Sequence, residues 1–160
     1  MANFDAATIV SPLPTDELLI KQEQIWRVNL PETYKDFIKI FNGVEPKQAT
    51  VKYNSNSEII ERFLCILNSA EDNQKAAMYD IDVVIAPRII RLVYDGECKG
   101  IQVLPIAKME HGNFLALNYK GTQSNPTVCV WDNEESDDFA PVVYFVANSF
   151  DEFFDTLEII

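Results

Sequence analysis

The sequence predicts an α+β domain, and three observations carry that expectation. Apolar residues recur at helical spacing near the start of the chain and again at its end. Between residues 113 and 146, three apolar runs separated by turn-rich stretches read as successive strands. No internal repeat or low-complexity linker divides the 160 residues, so they are expected to form one domain spanning 1–160. A domain of this length buries roughly 70% of its unfolded surface. Its 48% apolar content supplies a core without disulfides or a structural metal.

The first helix is expected over residues 15–28, with Thr15 as N-cap, Asp16 and Glu17 in the first turn, and Leu18, Leu19, Ile25 and Trp26 on its apolar side. The next is sharper. In LPETYKDFIKIFNG, Pro31 suits the first helical position, and Tyr34, Phe37, Ile38 and Phe41 fall at i, i+3, i+4 and i+7. Asn42-Gly43 ends it, because glycine enters the left-handed region at little cost. Residues 44–61 read as polar and irregular, with a short strand at 49–53, and residues 62–67 read as a compact apolar strand. Asn68 and Glu71 have capping-box spacing for a helix through about Tyr79. Residues 81–106 resist assignment, since Pro87 and Pro105 break both apolar runs.

Strands are expected at 113–119, 127–132 and 141–146, separated by GTQSNP and by the acidic stretch NEESDDFA. A final helix opens on the pair Ser149 and Glu152 and places Phe150, Phe153, Phe154 and Leu157 on one side.

Charge is distributed unevenly. All 13 Lys and Arg lie in residues 1–120, alongside 16 acids, whereas residues 121–160 hold nine acids and no base. Most of the net charge of -12 therefore sits in the last quarter. Such a field repels nucleic acid and anionic lipid and attracts a basic protein. Simple solubility is the other reading of the same acidity. The start of the chain has neither a basic region nor a long apolar stretch, and no run approaches the ~20 residues of a membrane span. Three widely spaced cysteines, Cys65, Cys98 and Cys129, fit a reducing cytoplasm.

The inventory for catalysis is thin. His111 is the single histidine, in the turn-like MEHGNF, and is read as a surface or structural residue. There is no HExxH, no Cys-x-x-Cys, no GxGxxG or P-loop and no GxSxG, so no zinc set, nucleotide cradle or nucleophile elbow is specified. A spatial pair of Cys98 and His111 stays open, with nothing local to create a thiolate. The acids Asp132, Glu134, Glu135, Asp137 and Asp138 fail the EF-hand pattern, because the sixth position from Asp132 is Asp137 where glycine is required and the twelfth is Val143. They read either as a solvated acidic loop or as a protein-binding one. No catalytic residue, cofactor or metal is expected.

Three ordered blocks resemble the SMI1/KNR4 family of the SUKH superfamily. The first is LPETYKDFIKIFNG at 30–43, similar to the family's LP-x-x-Y-x-x-F-x-x-x-x-N-G. The second is VLPIA at 103–107 followed by HGNFLALNY at 111–119, and the third is VCVWDNEE at 128–135 with VANSFDEFFDTL at 146–157. Together they cover residues 30–157. Many members carry histidine after the strand acid, where this chain has Asn133, and any role for that side chain does not transfer. The resemblance implies helices packed beside a strongly bent, mainly antiparallel sheet. Its members include bacterial immunity proteins that neutralise toxins, often nucleases, and eukaryotic regulators of cell-wall synthesis. The expected function is a non-enzymatic immunity protein that occludes a cognate toxin with a basic surface, the acids at 132–138 being the candidate contact. A regulatory scaffold or adaptor of the same family is the alternative.

Overall fold

In the computed structural model, which describes residues 4–94 and 100–157, helices surround a six-stranded antiparallel meander. The helices are α1 (Asp16–Trp26), α2 (Glu32–Phe41), α3 (Ile81–Ile85) and α4 (Phe150–Thr156). A small pair, β1 (Phe4–Asp5) and β2 (Glu45–Pro46), precedes the main sheet. The main sheet runs β3 (Thr50–Tyr53), β4 (Asn56–Phe63), β5 (Val103–Met109), β6 (Phe114–Asn118), β7 (Thr127–Asp137) and β8 (Ala140–Ala147), each strand pairing with the next. The α+β class and the antiparallel sheet are as the sequence predicts.

The sheet bends until its two edges meet. Register shifts interrupt β4–β5 between Ile60 and Arg62, β5–β6 between Pro105 and Ala107, and β7–β8 at two places. Each such bulge increases local twist and bends the strand. Tyr53 on the β3 edge and Tyr144 on the β8 edge end with ring centroids 5.6 Å apart.

Helix starts follow the expected chemistry. Thr15 Oγ1 accepts from Leu18 N at 3.1 Å, and Ser149 Oγ accepts from Glu152 N at 3.1 Å. Glu152 reaches back to Asn148 N, one residue beyond a regular capping box. Pro31 occupies the capping position rather than the first helical one. In α1 the buried residues are Leu19, Gln22 and Trp26, while Ile25 points outward. Burying Gln22 costs little because Asp82 of α3 accepts from both Gln22 Nε2 (2.8 Å) and Trp26 Nε1 (2.9 Å), joining the two helices.

An aromatic core joins α2 and α4 to the sheet. Phe37 packs against Phe63 of β4, Phe150 and Phe154 with ring centroids 4.9–5.8 Å apart, and Tyr34 meets Phe150 edge-on at 5.3 Å. Phe150, Phe153 and Leu157 are buried and Phe154 is half-buried, so the expected inner face of α4 is the observed one.

Three expectations are corrected. The strand placed at 62–67 lies earlier, at Asn56–Phe63, within a stretch read as irregular. Residues 64–67 leave the sheet after Leu64, whose N still donates to Ile106 O of β5 (2.9 Å); beyond it Cys65 N donates to Tyr79 O (2.8 Å), Ile66 N to Asn42 Oδ1 (2.8 Å) and Leu67 N to Asp80 Oδ1 (2.9 Å). The helix at 68–79 is instead two 3-10 turns, Ala70–Asn73 and Ala77–Tyr79, with Ser69 and Asp72 forming the capping box. Asn73 diverts the chain, accepting from Ala76 N and donating to Ser11 O. The acidic stretch after residue 132 is strand as far as Asp137, with a turn only at residues 138–139.

Two stability outcomes are expected. Phe153→Ala removes a side chain only 2% exposed and should cost about 3–5 kcal/mol in urea denaturation; an unchanged midpoint would contradict its burial. Asn42→Ala strands the buried amide of Ile66 and the carbonyls of Val10 and Ile66. Each buried group left unpaired costs about 1–3 kcal/mol. The midpoint should therefore fall by at least one such increment, and a change within error would show that those groups find other partners.

Candidate protein-binding site

The five acids singled out in the sequence separate into two groups. Asp132 pairs with Val142 across β7–β8, and its carboxylate turns back on its own strand, accepting from Glu135 N at 3.0 Å. Its carbonyl accepts from Ser136 Oγ at 2.5 Å, and the same hydroxyl oxygen accepts from Val142 N at 2.8 Å. Buried Ser136 thus fills the ladder where the register shifts between Asp132 and Asp137. Glu135 accepts from Tyr144 Oη at 2.9 Å. Asp132 and Glu135 are therefore engaged in holding the hairpin and its tyrosine.

That tyrosine leads to a polar seam between the sheet edges. Tyr53 donates its hydroxyl to Glu58 Oε1, and Asn113 Nδ2 reaches both the Tyr53 hydroxyl (3.3 Å) and Glu58 Oε1 (3.2 Å). Burial, then the Glu58 hydrogen bond, pushes the Tyr53 phenol up to about 12. The Tyr144 phenol is also raised, first by its hydrogen bond to Glu135 and then by desolvation and nearby carboxylate charge.

Glu134, Asp137 and Asp138 form the second group. They are exposed, and no side-chain hydrogen bond or ion pair engages them among the described residues. The strand end that carries them is anchored from behind by the 3-10 segment Ala86–Arg91. Arg91 Nη1 donates to Asn133 O at 3.2 Å, and Phe139 N donates to Ile90 O at 2.8 Å. Arg91 is a base brought close by the fold, which the local sequence around the acids does not contain. The same docking leaves Phe139 (44% exposed), Ile89 (47%) and Ile90 (40%) as an apolar patch beside the free carboxylates. Sequence reasoning missed all three, because Ile89 and Ile90 lie in the stretch that resisted assignment. The hairpin tip is therefore an apolar patch with an acidic border on a docked support.

The remaining candidates for chemistry lie apart from this arrangement. His111 is exposed in a left-handed turn (φ 65°) before β6, with Nε2 3.9 Å from Glu110 Oε1. Cys98 lies outside the described residues. Cys65 and Cys129 are free and buried, and burial pushes the Cys65 thiol up to about 12, away from thiolate reactivity. Among the described residues no group of three or more His, Cys, Asp or Glu side chains could hold a metal ion. No helix among them is long and apolar enough to cross a membrane.

With this geometry in place, the family model described as SMI1-KNR4 cell-wall matches residues 16–154. The chain belongs to the SMI1-KNR4 family. The match takes in α1 through most of α4, including Asn42-Gly43, the Trp131-Asp132 strand and the Ser149 cap, and it begins before the first of the three resembling blocks. Membership suggests a general protein-binding role for this SMI1-KNR4 domain. No curated protein and no solved structure gives a significant match to the chain.

The seam makes a direct spectroscopic prediction. At pH 11 an ordinary tyrosine, with a pKa of about 10, is mostly phenolate, whereas Tyr53 stays mostly protonated. Tyr53→Phe should therefore remove almost no phenolate absorbance at pH 11, with folding verified by circular dichroism. Loss of a full tyrosine's signal would show that the hydroxyl is not held at the seam.

Proposed function

We propose that this SMI1-KNR4 domain is an immunity protein that binds a cognate toxin with a basic surface, such as a nuclease, and neutralises it by occlusion. The observation that carries the reading is the hairpin tip, where Glu134, Asp137 and Asp138, without a side-chain partner among the described residues, border exposed Phe139, Ile89 and Ile90. A surface that holds phosphates is rich in Lys and Arg, and an acidic border accelerates encounter with it. Desolvated apolar anchors then slow dissociation. The lack of any Lys or Arg after Lys120 keeps the acidic field of this end uncompensated along the chain. The proposed site of action is the cytoplasm, where the buried free thiols Cys65 and Cys129 would remain reduced.

The test is capture of the toxin encoded beside this protein, measured as association and dissociation rates across a salt series. Replacing the exposed acids Glu134, Asp137 and Asp138 by Gln or Asn should leave folding intact. It should slow association several-fold at low salt, with the difference shrinking as salt screens the charges. Phe139→Ser should chiefly raise the dissociation rate. Equal rates for parent and variants at low and high salt would exclude the hairpin as the contact. Absence of any complex between the two folded proteins would exclude the immunity role itself.

A further inference from the structure

A second surface, sharing no residue with the hairpin, lies between α2 and α4. It is a groove of about 410 Å³ lined by Phe37, Ile40 and Phe41 from one helix and Phe150 and Phe154 from the other. These are two ridges at i, i+3, i+4 and at i, i+4, the surface into which a third helix fits its own side chains. Ile40 stands 58% exposed on the lip, and Phe41 and Phe154 are half-buried, so apolar surface remains open after the domain has folded.

The rim has one sign of charge. Asp36, Asp151 and Asp155 line the groove, all exposed. No side-chain hydrogen bond or ion pair engages them among the described residues. The lysines of α2 point elsewhere: Lys35 pairs with Glu32 and Glu23, and Lys39 with Asp16. Asp155 is the informative member. It sits in the last turn of α4, which contains no base, so its carboxylate meets the negative end of the helix dipole. Such a placement opposes helix stability, which a cation set against Asp155 would relieve.

We infer that the α2–α4 groove is a docking site for a basic amphipathic helix of a protein partner, which seats large apolar side chains on the phenylalanine lining and sets Lys or Arg against Asp36, Asp151 and Asp155. Helix-in-groove recognition of this kind reads apolar anchors at i, i+3, i+4 and i+7, with flanking charges setting orientation and choice of partner. The inference stands independently of the hairpin reading.

The probe is a synthetic peptide about four helical turns long, with Leu and Trp on one face and Lys and Arg beside them. Two controls carry Glu in place of the bases, or Ser in place of Leu and Trp. Titrated into the full-length protein and followed by NMR, the basic peptide should shift resonances of Ile40, Phe41 and Phe154, and neither control should. Ile40→Asp, at an exposed position, should weaken binding at least about tenfold, as for loss of a central anchor. The triple variant Asp36→Asn, Asp151→Asn, Asp155→Asn should weaken it at low salt and much less at high salt. The variant neutralised at Glu134, Asp137 and Asp138 should bind the peptide as the parent does, so failure at either surface is distinguishable. Shifts centred on the β7–β8 hairpin, equal binding of the acidic peptide, or parent-like affinity in both groove variants would overturn the inference. So would concentration-dependent shifts of the groove resonances without peptide in a sedimenting dimer, which would make the occupant a second copy of this chain.

Discussion

The side-chain amide of Asn42 is completely buried at the end of α2, where it serves segments distant in the sequence. Its Nδ2 donates to Val10 O and Ile66 O, its Oδ1 accepts from Ile66 N, and its backbone carbonyl accepts from Val10 N at 2.7 Å. No apolar residue could satisfy these groups, and leaving them unpaired in the core would be costly. Gly43 follows with φ 69°, and an added Cβ would lie 2.5 Å from Val10 Cγ2. Arg62 completes the junction by donating to Gly43 O and Thr8 O. The chain start, the end of α2 and the exit from β4 are thereby fixed together, and the aromatic core forms around that joint. Asn-Gly is commonly read as a helix stop, and here it is also the polar fastening of three segments.

From this joint the sheet must curl to stay in contact with helices of modest length. Bulges deliver the curl, and Pro105 shows how the sequence accommodates it. Proline cannot donate to a ladder, and it stands beside the register shift of β5–β6, where the ladder is already interrupted. Curling brings β3 to β8, and the polar seam of Tyr53, Glu58, Asn113 and Tyr144 occupies the meeting line. One end of that seam is Glu135, so part of the acidic stretch contributes to architecture. The carboxylates left over are the ones available to a partner.

The two exposed surfaces have the same physical character: apolar side chains that the domain does not bury, bordered by carboxylates without a side-chain hydrogen bond or ion pair among the described residues. At the hairpin the apolar part arises because Ala86–Arg91 docks behind β7 and turns Ile89 and Ile90 outward. At the groove it arises because α4, only seven residues long, covers part of α2 and leaves Ile40 open. This shared character, in a strongly acidic protein, is what supports the proposals of basic partners at both surfaces.

What the sequence determined by itself was much of what short-range periodicity and capping specify: α1 and α4 with their Thr15 and Ser149 caps, α2, the inner faces of α2 and α4, and the strands expected at 113–119, 127–132 and 141–146; the capping signal at Asn68 and Glu71 did not produce its helix. These signals are local, since a helix face or strand alternation is set by residues within one or two turns of each other. The family resemblance was also legible, because its motifs coincide with those elements. Tertiary structure alone decided the rest. β4 opens with Asn56, Ser57 and Glu58, poor strand formers held in place by pairing with β3, while Ile60, Arg62 and Phe63 pair with β5. The strand through Glu134–Asp137 exists because Ser136 bridges the bulge and Arg91 holds Asn133, contacts 6 and 42 residues apart. The division of the five acids into engaged and free ones followed from those contacts, as did the appearance of Ile89, Ile90 and Phe139 beside them. No local window of sequence contains both Arg91 and Asn133, or both Ile90 and Phe139, so a surface built by that docking becomes visible only in the fold.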